Sequence, residues 1–585
     1  MSMSKNIARL AVTAGLTAAL SFGGVMAPVT MAFAAGTPTV ATEKGKVAIT
    51  DETYTGTTFK GIQIFTAKVT QDQKGDGSWD GSAAKTLSDI QWAPGNVKAL
   101  VTAALKDVTG APDVDADAQT WAEFISTTQG SNFGETTAVD TGTTLDLIAK
   151  ALEGDKTLTW TKPSDSTKGS FKDLDHGYWL FVTDTPSTTS GANGNTDAYT
   201  SPIFTIVGGS DVNVAPKKDV PNVTKAVKDD AATGTFGTFE NPNKAADSQM
   251  GDYVDYLLTG TVASNINTYS TYKYTFTDEL PKSMTPKFKA DGTTPDVTVK
   301  IGNAKVTSGY SATYVNDELT VDFTDLKCCE DESGAAIELN GNSNVTVEYK
   351  AKLDSTKIFD EAGNIKTIFD GLVGKAQKNK VTLTYSNNPH TDGTGTTVEH
   401  LAYDYTYGID VTKVGSNDET KGLKGVEFTL QEQGDTNKFI MANGVKTTDE
   451  TKAKLTTDDS GKINVVGLDE GTYILKEVTP APGYNNSAAN GVTFTIKRGL
   501  NQNGDDVTPS VDSAINAASG VVKNNSATAS TGKLSFTIVD KKGSGLPLTG
   551  LNGVTFTWIA GGAVLCIGVA HLIRSRKQAE ESEQE

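Results

Sequence analysis

Several polar side chains fall on strand faces that are otherwise apolar, and their types would allow them to react with one another. Alternate side chains of a strand share a face, so Lys225 lies among valines in PNVTKAV. The same alternation puts Asp252 among the apolar residues of QMGDYVDYLLTG and Asn379 among those of KNKVTLTYSN. Because an unpaired buried charge is costly, a lysine, an acid and an amide that point inward together need a chemical explanation.

This arrangement resembles the lysine–asparagine intramolecular isopeptide bond of pilin and collagen-adhesin domains. Burial lowers the pKa of a lysine and raises that of an aspartate. A neutral Lys225 amine can then attack the Asn379 amide, while protonated Asp252 polarises that amide and shuttles protons, and ammonia leaves. Asp255 and Asp278 are rivals for the acid, although Asp255 has the wrong parity. The alternative is a buried salt bridge, or a lysine that points inward at a strand edge.

A second set of such residues follows in the last third of the chain. Lys413 shares a face with a valine in IDVTKVG, and Asp540 shares one with the apolar residues of the final strand, KLSFTIVD. The segment GTYILKEVTPAPGY resembles the E-box of the smaller isopeptide-forming domain type, which makes Glu477 the catalytic acid. Such domains usually carry asparagine at the last position. The resemblance therefore implies a Lys413–Asp540 bond that forms with loss of water.

Three β-rich regions would position these residues. Alternating patterns and Gly, Asn and Asp turns predict short strands, and helical spacing predicts helices in DIQWAPGNVKALVTAALKDV and DAQTWAEFISTTQ. We predict an all-β fold of tandem immunoglobulin-like, collagen-adhesin-type sandwiches, with helical insertions in the first domain. The N-terminal domain shows no clear reactive set, and we predict no isopeptide bond there. The predicted boundaries are 36–214 for the N-terminal domain, 215–222 for a linker, 223–390 for the middle domain and 391–541 for the C-terminal domain.

Both ends of the chain carry targeting patterns. A basic and then apolar stretch that ends in Ala-Phe-Ala predicts a secretory signal peptide over residues 1–35. Near the other end, residues 542–550 contain the pentad LPLTG, and residues 551–573 form an apolar segment long enough for a transmembrane helix. Residues 574–585 begin with a basic cluster that would stay cytoplasmic. A plain membrane anchor does not explain the pentad immediately outside the span.

The pentad, the apolar span and the basic tail together resemble a Gram-positive cell-wall sorting signal. The resemblance implies that a sortase cysteine cleaves the Thr549–Gly550 bond and passes the acyl group to an amine. The membrane segment is then only a temporary holding device. The acidic end EESEQE departs from the usual pattern. The motif residues are Leu546, Pro547, Leu548, Thr549 and Gly550.

With this signal, the mature chain resembles a backbone subunit of a sortase-assembled pilus. The stretch DVNVAPKKDVPNVTKAV stands where such pilins carry their linking lysine, in a motif of the type V-x-V-Tyr-Pro-Lys-Asn. Lys217 matches the nucleophile, whereas Ala215 and Lys218 replace the tyrosine and the asparagine, and Lys218 is a rival nucleophile. The pilin is expected to supply only an exposed, extended lysine. The alternative is that both lysines are ordinary solvated linker residues.

Composition and missing motifs exclude other classes. The formal net charge of -19 disfavours nucleic acid as a partner. The neighbours Cys328 and Cys329 form either a vicinal disulfide or two free thiols. Asp72, Asp76 and Asp80 are spaced like calcium ligands but lack a closing glutamate, which favours an ordinary turn. Without HExxH, CxxC, nucleophile-elbow or P-loop motifs, we expect no metal, no cofactor and no enzyme activity beyond autocatalytic bond formation.

The sequence therefore predicts a secreted, peptidoglycan-anchored shaft subunit on the cell surface. The expected partners are pilin-class and housekeeping sortases, further copies of the chain, and peptidoglycan. A host surface ligand is a further candidate, and the membrane is contacted only transiently through the C-terminal segment. The alternative is a monomeric wall-anchored adhesin, or a tip pilin, built from the same domains.

Overall fold

The computed structural model describes residues 37–544, except 129–131, 134–136, 164–168, 188–193, 231–233, 370, 499–500, 504–505, 509–510 and 529–530. The predicted signal peptide, the LPLTG motif, the apolar segment and the C-terminal tail lie outside the described residues. Among the residues that are described, no helix is both long and apolar enough to cross a membrane.

Within its described residues, the first domain combines two sheets with three helices. One sheet has the order β1-β3-β6-β7, with β4 beside β3, and the other has the order β5-β2-β8. The elements are β1 (Thr37–Val40), β2 (Gly45–Ile49), β3 (Thr58–Gln73), β4 (Thr86–Trp92), α1 (Val97–Leu105), α2 (Ala118–Thr127), α3 (Thr144–Gly154), β5 (Ser170–Leu174), β6 (Gly177–Thr185), β7 (Ile203–Val207) and β8 (Val212–Val214).

The helices of this domain form because their apolar residues recur at helical spacing. In α1, the buried residues Val97, Val101 and Leu105 recur every four positions and so share one face. Helix α2 begins after Asp117, whose carboxylate accepts a hydrogen bond from the backbone N–H of Thr120. These two helices are confirmed where the sequence predicts them, whereas α3 lies outside the two segments predicted to be helical. All three pack with β3, β4 and β6 in one core.

The second domain is a sandwich of two sheets. Their orders are β10-β21-β19-β12-β17-β16, with β20 beside β19, and β15-β14-β18-β11-β9, with β13 beside β18. Apolar residues of both sheets pack into a single core. The elements are β9 (Val223–Lys228), β10 (Ala245–Asp247), β11 (Tyr253–Thr261), β12 (Tyr274–Glu279), β13 (Met284–Pro286), β14 (Val297–Ile301), β15 (Ala304–Lys305), β16 (Ser311–Val315), β17 (Glu318–Phe323), β18 (Asn344–Leu353), α4 (Ser355–Ile358), β19 (Gln377–Ser386), β20 (Thr394–Thr396) and β21 (His400–Tyr405), with short 3-10 turns at Ile266–Thr268, Leu326–Cys328 and Thr367–Phe369.

The third domain is a second sandwich. Its main sheets have the orders β23-β22-β35-β34, with β28 beside β22, and β27-β24-β29-β30-β33. The first strand and the last strand lie side by side, because β22 and β35 pair in parallel from Gly408 opposite Lys533 to Gly415 opposite Asp540. The elements are β22 (Tyr407–Gly415), β23 (Asp418–Gly422), β24 (Glu427–Glu432), β25 (Phe439–Ile440), β26 (Lys446–Thr447), β27 (Leu455–Thr456), β28 (Lys462–Leu468), β29 (Gly471–Thr479), β30 (Val492–Arg498), β31 (Asn501–Asn503), β32 (Asp506–Thr508), β33 (Val511–Asn516), β34 (Val522–Thr528) and β35 (Lys533–Asp540).

Sheet pairing places the junction of the last two domains later than the sequence suggests. Strand β21 pairs antiparallel with β19 and provides the parallel partner of β10, so it belongs to the second domain. Only Thr406 separates β21 from β22. The predicted boundary between residues 390 and 391 therefore cuts through the second domain, because the pairing partners of β21 lie far away in the sequence.

A histidine links the first domain to the second. His390, in the loop after β19, contacts the carboxylate of Glu153 through Nδ1, and its Nε2 is 3.3 Å from Asp146 Oδ1. Both acids lie on α3, where Lys150 Nζ is 2.8 Å from the other oxygen of Asp146. Burial and the nearby charge of Glu153 raise the pKa of Tyr199. Burial lowers the pKa of His390, but its two carboxylate partners outweigh burial and raise that pKa above the ordinary value.

This histidine gives the joint a pH dependence. A raised pKa in the folded state means that the contribution of His390 is fully present below the ordinary pKa of 6.5 and is lost as the pH rises through the folded-state pKa. We expect the melting temperature of residues 37–544 to fall over that interval, and His390→Gln to flatten the fall. The control is His176→Gln, which removes a histidine whose Nε2 contacts the backbone carbonyl of Glu43. An unchanged slope in His390→Gln would contradict the assignment.

Candidate functional site

A buried lysine in the second domain lies against a carboxylate and a phenol. The side chain of Lys225, on β9, is fully buried, and its Nζ is 2.5 Å from Asp278 Oδ2. The same Nζ is 3.1 Å from the hydroxyl of Tyr349, which donates a 2.8 Å hydrogen bond to Asp278 Oδ2. Lys225 and Tyr349 lie on β9 and β18 of one sheet, whereas Asp278 lies on β12 of the facing sheet. The contact therefore spans the interior of the sandwich.

The hydroxyl of Tyr349 also brings in the asparagine. Asn379, on β19, is fully buried and donates a 2.8 Å hydrogen bond from Nδ2 to this hydroxyl. Lys225 and Asn379 therefore approach the same oxygen atom from opposite sheets. The alternation VTVEYKAKL places Tyr349 on an inward face, which was the sequence signal that could have revealed it.

Burial sets the protonation of this group. The pKa of Lys225 is lowered to about 8, because burial outweighs the charge of Asp278. Burial likewise raises the pKa of Asp278 above its ordinary value, against the opposing effect of Lys225. Among the described residues, Asp278 Oδ1 and Asn379 Oδ1 are buried without a hydrogen-bond partner. Burial thus shifts both the amine and the acid toward their uncharged forms at the same place.

The prediction that Asp252 supplies the acid is wrong in its geometry. Strand β11 begins at Tyr253, so the alternation does not extend back to Asp252. The side chain of Asp252 is 49% exposed and lies 3.1 Å from Nζ of Lys446 in the third domain. Asp255, the rival with the wrong parity, faces away from the core and pairs with Lys350. Asp278, the other rival, occupies the position beside the lysine.

The third domain buries a second lysine between two carboxylates. Nζ of Lys413, on β22, is 2.8 Å from Glu477 Oε2 and 2.5 Å from Asp540 Oδ1. All three side chains are fully buried. Because β22 pairs with β35 in parallel register, Lys413 and Asp540 project from neighbouring strands of one sheet, and Glu477 reaches them from β29 of the other. The structure thus brings together the three residues that the sequence selects in this region.

The acid of this second group is poised to carry a proton. Burial raises the pKa of Glu477 to about 7, although Lys413 opposes that shift. The ring of Phe428 covers Lys413, with its centroid 5.6 Å from Nζ. In the described part of the chain, Glu477 Oε1 and Asp540 Oδ2 are buried and find no hydrogen-bond donor. Such unsatisfied oxygens are costly, and a proton on Glu477 would reduce the net charge of the group.

The two linker lysines differ in their burial and in their ion pairing. Lys217 is half-buried, its backbone N–H donates to Thr200 Oγ1 at 2.8 Å, and its carbonyl accepts from the N–H of Ser201 at 2.8 Å. Within the described residues, its Nζ has no hydrogen-bond or ion-pair partner, and burial lowers its pKa. The Lys218 side chain is only 6% exposed and is ion-paired. The sequence predicts an exposed, extended lysine, whereas Lys217 is half-buried in the structure.

The remaining predicted residues either lie outside the described residues or make ordinary contacts. Leu546, Pro547, Leu548, Thr549 and Gly550 lie outside the described residues. Cys328 is exposed and Cys329 is buried, and both are free thiols. Asp76 and Asp80 accept hydrogen bonds from the N–H groups of Ser78 and Ser82, as in ordinary turns. No group of three metal-ligating side chains is found in the part of the chain that the structure describes.

The sequence of the third domain matches a known family. Residues 407–513 match the family model described as "SpaA: Prealbumin-like fold domain". The match begins at the first residue of β22 and ends within β33. The third domain therefore has a prealbumin-like fold, a sandwich type that the predicted immunoglobulin-like class does not name. No curated protein sequence matches the chain at a significant level.

Solved pilin structures show a distant likeness. The T6 backbone pilin of serotype M6 Streptococcus pyogenes is 15% identical, with a TM-score of 0.45 over 86% of this chain and 98% of that chain. The full-length major pilin SpaD of Corynebacterium diphtheriae is 16% identical, with a TM-score of 0.43 over 86% and 98%. The major pilin subunit BcpA of Bacillus cereus is 16% identical, with a TM-score of 0.37 over 66% and 93%.

Proposed function

We propose that this chain is a structural backbone subunit of a covalently polymerised pilus on the surface of a Gram-positive cell. The observation that carries the proposal is that each of the last two domains buries a lysine together with an acid and an acyl donor. A secreted chain without a disulfide framework gains covalent stability from such groups. The SpaA match of the third domain and the sorting pattern at the C-terminus support the same conclusion.

In the second domain, the proposed reaction joins Lys225 to Asn379. The neutral amine attacks Cγ of the amide, Asp278 transfers a proton from the amine to the departing nitrogen, and ammonia leaves. The new bond connects Nζ of Lys225 to Cγ of Asn379. Tyr349 contacts all three reacting side chains and so acts as a positioning residue.

In the third domain, the same chemistry joins Lys413 to Asp540. The amine attacks the protonated carboxyl of Asp540, Glu477 moves the proton from nitrogen to the departing hydroxyl, and water leaves. A carboxylate close to Lys413 resists attack while it is ionised. The raised pKa of Glu477, about 7, allows the group to hold the proton that the reaction needs.

Between subunits, a sortase would supply the chemistry. It cleaves Thr549–Gly550, and the Thr549 acyl group is joined to Lys217 of the next subunit. Lys217 suits this role because its Nζ is unpaired within the described residues, whereas that of Lys218 is held by two carboxylates. The lowered pKa of Lys217 increases the fraction of neutral amine. The finished polymer would be attached to peptidoglycan, outside the membrane.

Replacing Lys217 tests the polymer directly. In the native organism, we expect Lys217→Arg to abolish the high-mass ladder of cell-wall extracts on immunoblots, because the guanidinium is not a nucleophile at neutral pH. Lys218→Arg is the matched control and should keep the ladder. Mass spectrometry of the wild-type ladder should find a branched peptide that joins Thr549 to Lys217.

Other outcomes of this experiment would contradict the proposal. A ladder that persists in Lys217→Arg, with Thr549 joined to Lys218, would move the nucleophile by one residue. Thr549 attached only to peptidoglycan, with no ladder in the wild type, would identify a monomeric wall-anchored adhesin instead of a shaft subunit.

A further inference from the structure

A third lysine is buried with two carboxylates, and it lies in the first domain. Nζ of Lys218 is 2.6 Å from Asp51 Oδ2 and also contacts Asp197 Oδ2. The side chains of Lys218, Asp51 and Asp197 are 6%, 9% and 0% exposed. In composition and burial, this group repeats the arrangement of Lys413 with Glu477 and Asp540.

Both carboxylates are held in place by the backbone around them. Asp51 follows β2, and its Oδ1 accepts the N–H groups of Thr53 and Tyr54 at 3.1 and 2.8 Å. Asp197 precedes β7, and its Oδ1 accepts the N–H of Ala198 at 2.7 Å. Each acid therefore keeps its other oxygen, Oδ2, directed at the lysine that follows β8. The three groups converge from three separated segments of the chain.

The charge of this group does not balance when all its members are ionised. One ammonium and two carboxylates leave a net negative charge in a buried site, which is costly. Burial raises the pKa of Asp197 above its ordinary value, although Lys218 opposes the shift. The ring of Tyr54, whose centroid lies 5.1 Å from Nζ, shields the lysine from solvent. A single proton shared by the two acids would make the group neutral.

We propose that Lys218 and Asp197 condense into a third intramolecular isopeptide bond. Asp51 takes a proton from the Lys218 ammonium, and the neutral Nζ attacks Cγ of protonated Asp197. Asp51 passes its proton to one oxygen of that carboxyl, the bond from Cγ to this oxygen breaks so that one water leaves, and Asp51 takes up the remaining extra proton of the nitrogen. Asp197 is the acyl partner because it is the more deeply buried carboxyl, whereas Asp51 stays tied to its own turn. The proposal rests on the same chemistry as the proposed function and reverses the expectation that the first domain has no such bond.

This bond would also settle the choice of linking lysine. Once the amine of Lys218 is consumed inside its own domain, Lys217 is the only amine of the linker motif that a sortase can use. The bond would in addition fasten the linker to the first domain, directly before β9 begins.

The intact mass of residues 37–544 tests the third bond. We expect the wild type to weigh less than its sequence by one ammonia and two waters. Lys218→Arg keeps the positive charge but cannot condense, so its deficit should be one ammonia and one water. Lys217→Arg is the matched control and should retain the wild-type deficit. Peptide mapping should find Lys218 joined to Asp197 in the wild type and in the control.

The possible results separate this proposal from the proposed function. A wild-type deficit of one ammonia and one water overturns the third bond and leaves the other two standing. A full unmodified mass overturns both proposals. A branch from Lys218 to Asp51 overturns the assignment of Asp197. Asp51→Asn keeps both reacting residues but removes the proton carrier, so its mass deficit should be one ammonia and only one water. A deficit of one ammonia and two waters in that variant would overturn the role of Asp51.

Discussion

Replacing Glu477 by glutamine should leave the third domain without its covalent tie. Glutamine keeps the shape of the side chain but cannot carry the proton from Lys413 to the departing hydroxyl of Asp540. The mass deficit is the difference between the measured mass and the mass calculated from the sequence. In the variant, this deficit should be smaller than in the wild type by one water. A cross-link that closes a loop of more than about 100 residues stabilises by about 5 kcal/mol in the chain-entropy model. The third domain of Glu477→Gln should accordingly unfold at a lower temperature and be cut faster by trypsin.

The matched control is Glu427→Gln, the same substitution at a partly exposed acid on the neighbouring strand β24. Glu427 pairs with Lys454, whereas the carboxylates that contact Lys413 are those of Glu477 and Asp540. Its mass deficit and its trypsin resistance should equal those of the wild type. If Glu477→Gln still loses the water of the Lys413–Asp540 bond, the acid of the third domain has been assigned wrongly.

Asp278→Ala should have the largest effect on the second domain. Without the acid, the Lys225–Asn379 bond should not form, and the variant should keep the ammonia that the wild type loses. The change also leaves Lys225 as a buried charge without a counter-charge, which costs about 3–5 kcal/mol. Calorimetry should show a destabilised second domain, and intact-mass measurement should show the retained ammonia.

Asp252→Ala separates the two candidate acids of this domain. It removes only a surface ion pair with Lys446, which is worth about 0–1 kcal/mol. The variant should keep the wild-type mass deficit and nearly the wild-type stability. A bond that forms in Asp278→Ala but fails in Asp252→Ala would reinstate Asp252 and refute the geometry-based assignment.

The alternation of inward and outward side chains along the strands identifies most residues of the candidate site. Lys225, Asn379, Lys413, Glu477 and Asp540 all lie inside strands whose neighbouring apolar residues fix the inward face, and all five are buried. For Asp252, the alternation gives the wrong prediction. The parity of a residue is defined only while the backbone remains extended, and the position of the first extended residue, Tyr253, depends on pairing partners that are distant in the sequence.

Sequence patterns do not predict clusters of side chains that come together from separate loops. Asp51, Asp197 and Lys218 follow or precede strands, and neither periodicity nor local spacing relates them. The same limit explains the misplaced end of the second domain, because β21 looks like an ordinary strand until its partners β19 and β10 are known. Fold class depends on local pattern, whereas contacts between loops depend on the complete three-dimensional arrangement.

In the proposed filament, the side-by-side placement of β22 and β35 would determine which parts of the third domain carry tension. The tension would enter at Tyr407, the start of β22, and leave beyond Asp540, the end of β35. Once Lys413 is bonded to Asp540, the load crosses from one strand to the other at that bond. Residues 414–539 then lie outside the load path and carry none of the tension. The shaft would stretch only in the short segments between successive ties, and the hairpins of this domain would be free to change in sequence without weakening it.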